Sequence, residues 1–184
     1  MLSWLSKKVE QWARPADERA HRIYAVLADN ARNPAFYERY GVADTFDGRF
    51  DTLTLMVVLA VRRMTAAGDD GKALGQGVID TMFADMDLSL HEIGVSENKV
   101  GKKVKQMATA YLGRMQAYGE GLDAGDENGL AATLNRNLYR DNGTDAKANG
   151  LAAAVLAEEA RLNSLDDETA LSVGGISVHL DSKG

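Results

Sequence analysis

The sequence contains no cysteine, which excludes a disulfide scaffold, a thiolate zinc site and a cysteine nucleophile together. Histidine is nearly as scarce. His21, His91 and His179 stand far apart and offer little for a metal cluster. Two prolines, Pro15 and Pro34, fall in the first fifth of the 184 residues, so the rest can run helical. Long apolar runs are missing as well. Leu53 to Val61 (LTLMVVLAV) covers 53–61 and is bounded by Asp51 and Arg62, well short of the roughly 18 residues that cross a bilayer. The opening MLSWLSKKVEQWARP has no continuous apolar stretch and no small-residue cleavage site, and Glu10 is out of place in a mitochondrial transit peptide. The expectation is an intracellular chain. An excess of positive charge is also absent: the net charge of −6 argues against a general nucleic-acid binder, DNA included.

What is present suits one core. Apolar residues make up 45% and charged residues 26%, enough for a single buried interior and too ordinary for disorder. The charge is unevenly spread. Residues 1–119 hold 16 basic and 15 acidic groups, whereas residues 120–184 hold 5 and 12.

Helical periodicity runs through most of the chain. Leu5, Val9 and Trp12 share a face near the start, and Ala20, Ile23, Tyr24 and Leu27 share one after Pro15. Residues 49–67 are apolar nearly all round, the mark of a buried central helix. Helices are predicted over 73–93, 97–118, 127–139 and 145–162, with the Gly/Asp-rich GEGLDAGDENG (119–129) as a linker. After Gly174 the periodicity is lost, and ISVHL reads as a frayed tail or a short strand. The expected architecture is all-α: about six to eight helices around a buried central one. Its parts are an N-terminal amphipathic helix at 1–14, a helical domain at 15–165 and a flexible C-terminal tail at 166–184.

Motifs of catalysis do not assemble. His91-Glu92 begins like H-E-x-x-H, but Val95 stands where the second histidine belongs. Gly75-Gln76-Gly77 lacks the preceding strand and the third glycine of a dinucleotide loop. Nor is there a nucleophile elbow or a Walker lysine. The expectation is a non-enzyme without cofactor or metal.

Three groups of residues remain. Lys99, Lys102, Lys103, Lys105 and Arg114 lie outside the apolar arc of the 97–118 helix, with no acidic residue between 98 and 119. They make either a solvated face or a surface for anions such as lipid headgroups or RNA. Trp4, Leu5, Lys7, Lys8 and Trp12 could lie at a membrane interface or dock on the bundle. Asp85, at the edge of an apolar arc, needs a cation if buried, and Arg62 or Arg63 is the expected ion-pair partner. Met56, Met64, Met82, Met86, Met107 and Met115 fall on faces expected to be buried.

Three blocks read together carry a resemblance: GRFDTLTLMVVLAVRRM (48–64), DTMFADMDLSLHEIGV (80–95) and VGKKVKQMATAYLGRMQAY (100–118). From about His21 to Leu138 the chain resembles the ubiquinol–cytochrome c chaperone family, assembly factors of respiratory complex III. His91 stands where the family has arginine and Leu112 where an aromatic is common. The resemblance implies an all-α chaperone that binds newly made cytochrome b and promotes assembly of the ubiquinol–cytochrome c reductase complex. It also implies a place at the membrane periphery, on the cytoplasmic face in a bacterium or the matrix face in a mitochondrion. A small helper protein and the ribosome are further partners in mitochondrial relatives. Client loops on that side are positively charged, so the lysines suit headgroups or ribosomal RNA, and the client surface is expected to be apolar or acidic. The alternative is a peripheral membrane- or RNA-binding helical module that uses the basic helix.

Overall fold

The computed structural model describes residues 17–142 and 144–180. They form eight α-helices and no strand: α1 (Glu18–Ala31), α2 (Ala35–Glu38), α3 (Phe46–Ala66), α4 (Asp69–Glu92), α5 (Glu97–Ala124), α6 (Glu127–Asn137), α7 (Asp145–Asn163) and α8 (Asp167–Ala170). The all-α expectation holds. The 1–14 segment, with Trp4, Leu5, Lys7, Lys8 and Trp12, lies outside the described residues.

Helix starts follow local chemistry. Asp17, Thr45, Asp126, Thr144 and Asp166 each accept a hydrogen bond from a backbone N–H of the turn that follows. Each such bond satisfies a donor that the helix itself leaves orphaned. The α3–α4 corner is tight because residue 71 lacks a side chain: a Cβ on Gly71 would strike the Met64 carbonyl oxygen.

The central helix is α3. Every residue from Phe50 to Ala60 is buried, including Asp51, Thr52 and Thr54. It packs against α1, α4, α5 and α7, so the all-round apolar pattern is matched by neighbours on all sides. Thr52 Oγ1 donates to the Gly48 carbonyl at 2.7 Å, which satisfies its hydroxyl within the helix.

Two expectations are corrected. First, the 119–129 linker is mostly helix: α5 continues to Ala124 and ends at Gly125, whose φ of 61° is left-handed. Gly119 lies against the Arg62 guanidinium and Gly121 against Leu130, close approaches that a Cβ would tighten to 3.2 Å. Glycine inside a helix costs about 1 kcal/mol, and here that cost allows α6 to fold back onto α5.

Second, the C-terminal stretch is not frayed over its described residues, which reach Leu180. Residues 167–170 form α8, and beyond it Ile176, Val178 and Leu180 are buried in alternation, the period of an extended chain. The backbone there is tied on both sides. Asn30 Nδ2 donates to the Val178 carbonyl at 2.5 Å, and Tyr40 Oη to that of Leu180 at 3.2 Å. Arg161 Nη2 donates to the Ser177 carbonyl, and the His179 N–H donates to Glu158 Oε1 at 2.8 Å. The segment therefore straps α7 to α1 and to Tyr40, just beyond α2. Sequence reasoning missed it because two glycines and a polar alternation resemble a tail when the groove beneath is unseen.

Candidate functional site

The five cations grouped on α5 by sequence belong to two environments. Lys99, Lys102 and Lys103 are exposed and Lys105 is partly so. Among the described residues no carboxylate lies within ion-pair distance of any of the four. Arg114 is different: it points inward and is 9% exposed, with its guanidinium 2.7 Å from Asp51 Oδ1 and stacked 5.6 Å from the Phe50 ring centroid. It cannot serve the anion-binding surface expected of it. Its place on the helical wheel borders the apolar arc, and α3 covers that border with a buried carboxylate.

Asp51 is the centre of this buried group. Arg140 reaches it from the far end of α6, at 3.2 Å from Oδ2 and from a left-handed backbone (φ 52°). Neither arginine contact is aligned as a hydrogen bond, and both carboxylate oxygens lack a hydrogen-bond partner. Burial therefore outweighs the two cations and pushes the carboxyl up to about 6.

The expected ion pair between Asp85 and Arg62 or Arg63 does not form. Arg62 binds Asp123 at 2.6 Å and Glu159 at 3.1 Å. Arg63 donates to the carbonyls of Leu162 and Leu165 and to Asp167 at 2.7 Å, which fastens the α7–α8 turn to the end of α3. Asp85 instead accepts a 2.5 Å hydrogen bond from the Tyr24 hydroxyl. The arginines end α3 near α7, whereas Asp85 lies on the α4 face turned toward α1. Burial, and then the Asp85 carboxylate, raises the pKa of the tyrosine and keeps its proton on.

Tyr24 and Asp85 belong to a cleft of about 230 Å³ between α1, α3 and α4. Phe46, Phe50, Leu53 and Met86 supply apolar walls, and Arg32, Arg49 and Glu92 stand among the lining residues. Ile93, 59% exposed, forms part of the rim, and Leu88, 58% exposed, precedes it by just over a turn. Of the two, only Ile93 belongs to the apolar face that the periodicity of 73–93 leads one to expect inside. Met115, also expected inside, is 36% exposed. Nothing in the periodicity distinguishes an apolar residue that meets a neighbour from one left at the end of a helix.

Open apolar side chains and a lysine face without carboxylate partners among the described residues are the main surface features of this all-helical protein. Comparison with known proteins makes this particular. The sequence profile described as Ubiquinol-cytochrome C chaperone matches residues 38–176, and the chain belongs to that family. It is 24% identical over 158 residues to the Xenopus laevis protein named ubiquinol-cytochrome-c reductase complex assembly factor 1, covering 85% of this chain and 78% of that one. The Mus musculus protein of the same name is 25% identical, covering 85% of this chain and 53% of its own length. The Drosophila melanogaster protein is 24% identical over 79% of this chain and 58% of its own. The chain thus spans little more than half the length of the mouse and fly relatives. The crystal structure of the Cbp3 homolog from Brucella abortus superposes with a TM-score of 0.80 at 34% identity, over 99% of both chains. Among the described residues no helix is long and apolar enough to cross a membrane.

Proposed function

We propose that this protein is a non-enzymatic assembly chaperone that binds newly made cytochrome b and promotes assembly of the ubiquinol–cytochrome c reductase complex. The observation that carries this reading is likeness along the whole chain to a Cbp3 homolog, joined to relatives named as assembly factors of that complex. Binding shields apolar client segments until assembly displaces the chaperone. The sequence holds no nucleotide motif, so the competing assembly step supplies the drive for release. The place of action is the membrane periphery on the cytoplasmic or matrix side, with a small helper protein as a further partner. Deleting the gene tests this: complex III should fall while other respiratory complexes persist, and cytochrome b should be retained in pull-downs of the tagged chain. Unchanged complex III overturns the reading.

A second reading is favoured by the four unpaired lysines. Lys99, Lys102, Lys103 and Lys105 form a surface for lipid headgroups or ribosomal RNA that holds the chaperone near its client. Replacing them with glutamate should abolish sedimentation with anionic vesicles or retention on ribosomal RNA. If neither changes, the lysines only solvate the helix.

A further inference from the structure

We propose that the cleft between α1, α3 and α4 is the client-docking surface, and that it takes membrane-edge polypeptide segments carrying large apolar side chains beside lysine or arginine. This inference rests on the assembly-chaperone reading above and names where and what that chaperone binds.

Size is the first argument. At about 230 Å³ the cleft is smaller than the roughly 300–1,000 Å³ sites that enclose cofactors and drug-sized ligands, so it holds side chains and not a whole small molecule. The apolar surface beside it extends its reach. Leu88 and Ile93 are two of the three large hydrophobic side chains exposed among the described residues. At 100° per residue Leu88, Glu92, Asp85, Ser89 and Ile93 follow one another around about 140° of α4, with the two exposed residues at the edges. A carboxylate stripe is thus bordered on both sides by apolar side chains.

Charge decides the occupant. The two arginines of the cleft each have a carboxylate partner at the surface: Arg32 pairs with Asp29 at 2.8 Å and Arg49 with Asp44 at 2.7 Å. The two carboxylates differ. Among the described residues no lysine or arginine lies within ion-pair distance of Asp85 or Glu92. The charge without an ionic partner is negative, so an anionic lipid is repelled and a purely apolar segment leaves the part-buried Asp85 with the Tyr24 hydroxyl and no cation. A segment that is apolar and cationic satisfies both. That is the composition at the cytoplasmic ends of membrane-spanning helices, where large apolar side chains give way to lysine and arginine.

The test places a photoreactive benzoylphenylalanine at Ile93 in the full chain, in cells that make complex III, with crosslinks mapped by mass spectrometry. The expected product joins Ile93 to a cytoplasmic-side segment of an integral complex III subunit, next to lysine or arginine. Asp85→Asn keeps an acceptor for Tyr24 while removing the charge, and should lower the yield about fivefold, as for loss of one partly exposed ion pair. Circular dichroism should show the variant folded. Crosslinks only to lipid, to soluble proteins or to residues 1–16 of the same chain overturn the proposal, as does a yield unchanged in Asp85→Asn. A folded Ile93→Glu variant that restores complex III fully in the deletion strain overturns the cleft and leaves the chaperone reading standing. A deletion strain with normal complex III overturns both.

Discussion

Two positions on α5 carry cations about nine residues apart and behave as opposites. Lys105 and its neighbours face solvent with no counterion among the described residues, whereas Arg114 is enclosed beside Asp51. A count of charges along the helix treats them alike. Their energetics differ because a solvated ammonium retains its hydration, while a buried guanidinium depends on one particular carboxylate and, if removed, leaves it buried with one cation fewer.

The sharpest way to expose the difference is Arg114→Met. It leaves Asp51 buried with Arg140 alone, and we expect a loss of about 4 kcal/mol. The midpoint of thermal unfolding should fall by about 10 °C. A shift under about 2 °C would mean that the two ions contribute no more than a surface pair.

The same node predicts a pH dependence of defined sign. The folded-state pKa of Asp51, pushed up to about 6, lies above its ordinary value of 3.8. Between these values the folded state binds more protons than the unfolded one, so stability from this group falls as pH rises through the window. Wild type should therefore gain up to about 3 kcal/mol relative to Asp51→Asn between pH 7 and pH 4. Denaturant unfolding of both proteins across that range measures it, and parallel curves would show that Asp51 does not titrate there.

A smaller effect belongs to the C-terminal strap. Val178 is 1% exposed, and Val178→Ala should cost about 1 to 2 kcal/mol. Hydrogen exchange should then quicken at residues 176–180 before it does in α3, because the strap is the more loosely anchored of the two. Simultaneous exchange would mean that strap and central helix open together. The smallest effect falls on the lysines: changing Lys99, Lys102 and Lys103 to glutamate should move stability by no more than about 0.5 kcal/mol per site. A larger loss would reveal that the exposed face is structural after all.

Much of this organisation was legible in the sequence. The all-round apolar pattern of 49–67 marked the central helix, and the helices predicted over 97–118 and 145–162 begin where α5 and α7 do, at Glu97 and Asp145. The three sequence blocks that resembled the chaperone family lie in the helices that build the cleft and the basic face. The site itself was harder to see. Asp85 was noticed as a polar residue on an apolar border, but its partner lies on α1, 61 residues away, and no local pattern selects Tyr24 over an arginine. Asp51 read only as the boundary of an apolar run, although it is 0% exposed. Gly119 and Gly121 looked like chain breaks because their packing against Arg62 and Leu130 exists only once α3 and α6 are in place.

The sequence alone determined that the chain is helical, that residues 50–60 lie at its centre, and to which family it belongs. Those properties follow from periodicity and from ordered local blocks, which neighbouring residues define among themselves. Tertiary structure decided which charges are inside, that residues 176–180 form a strap, and that the carboxylates of an apolar cleft have no cationic partner among the described residues. Each of these depends on which helix faces which, and a long-range contact leaves no periodic trace in the segments that make it.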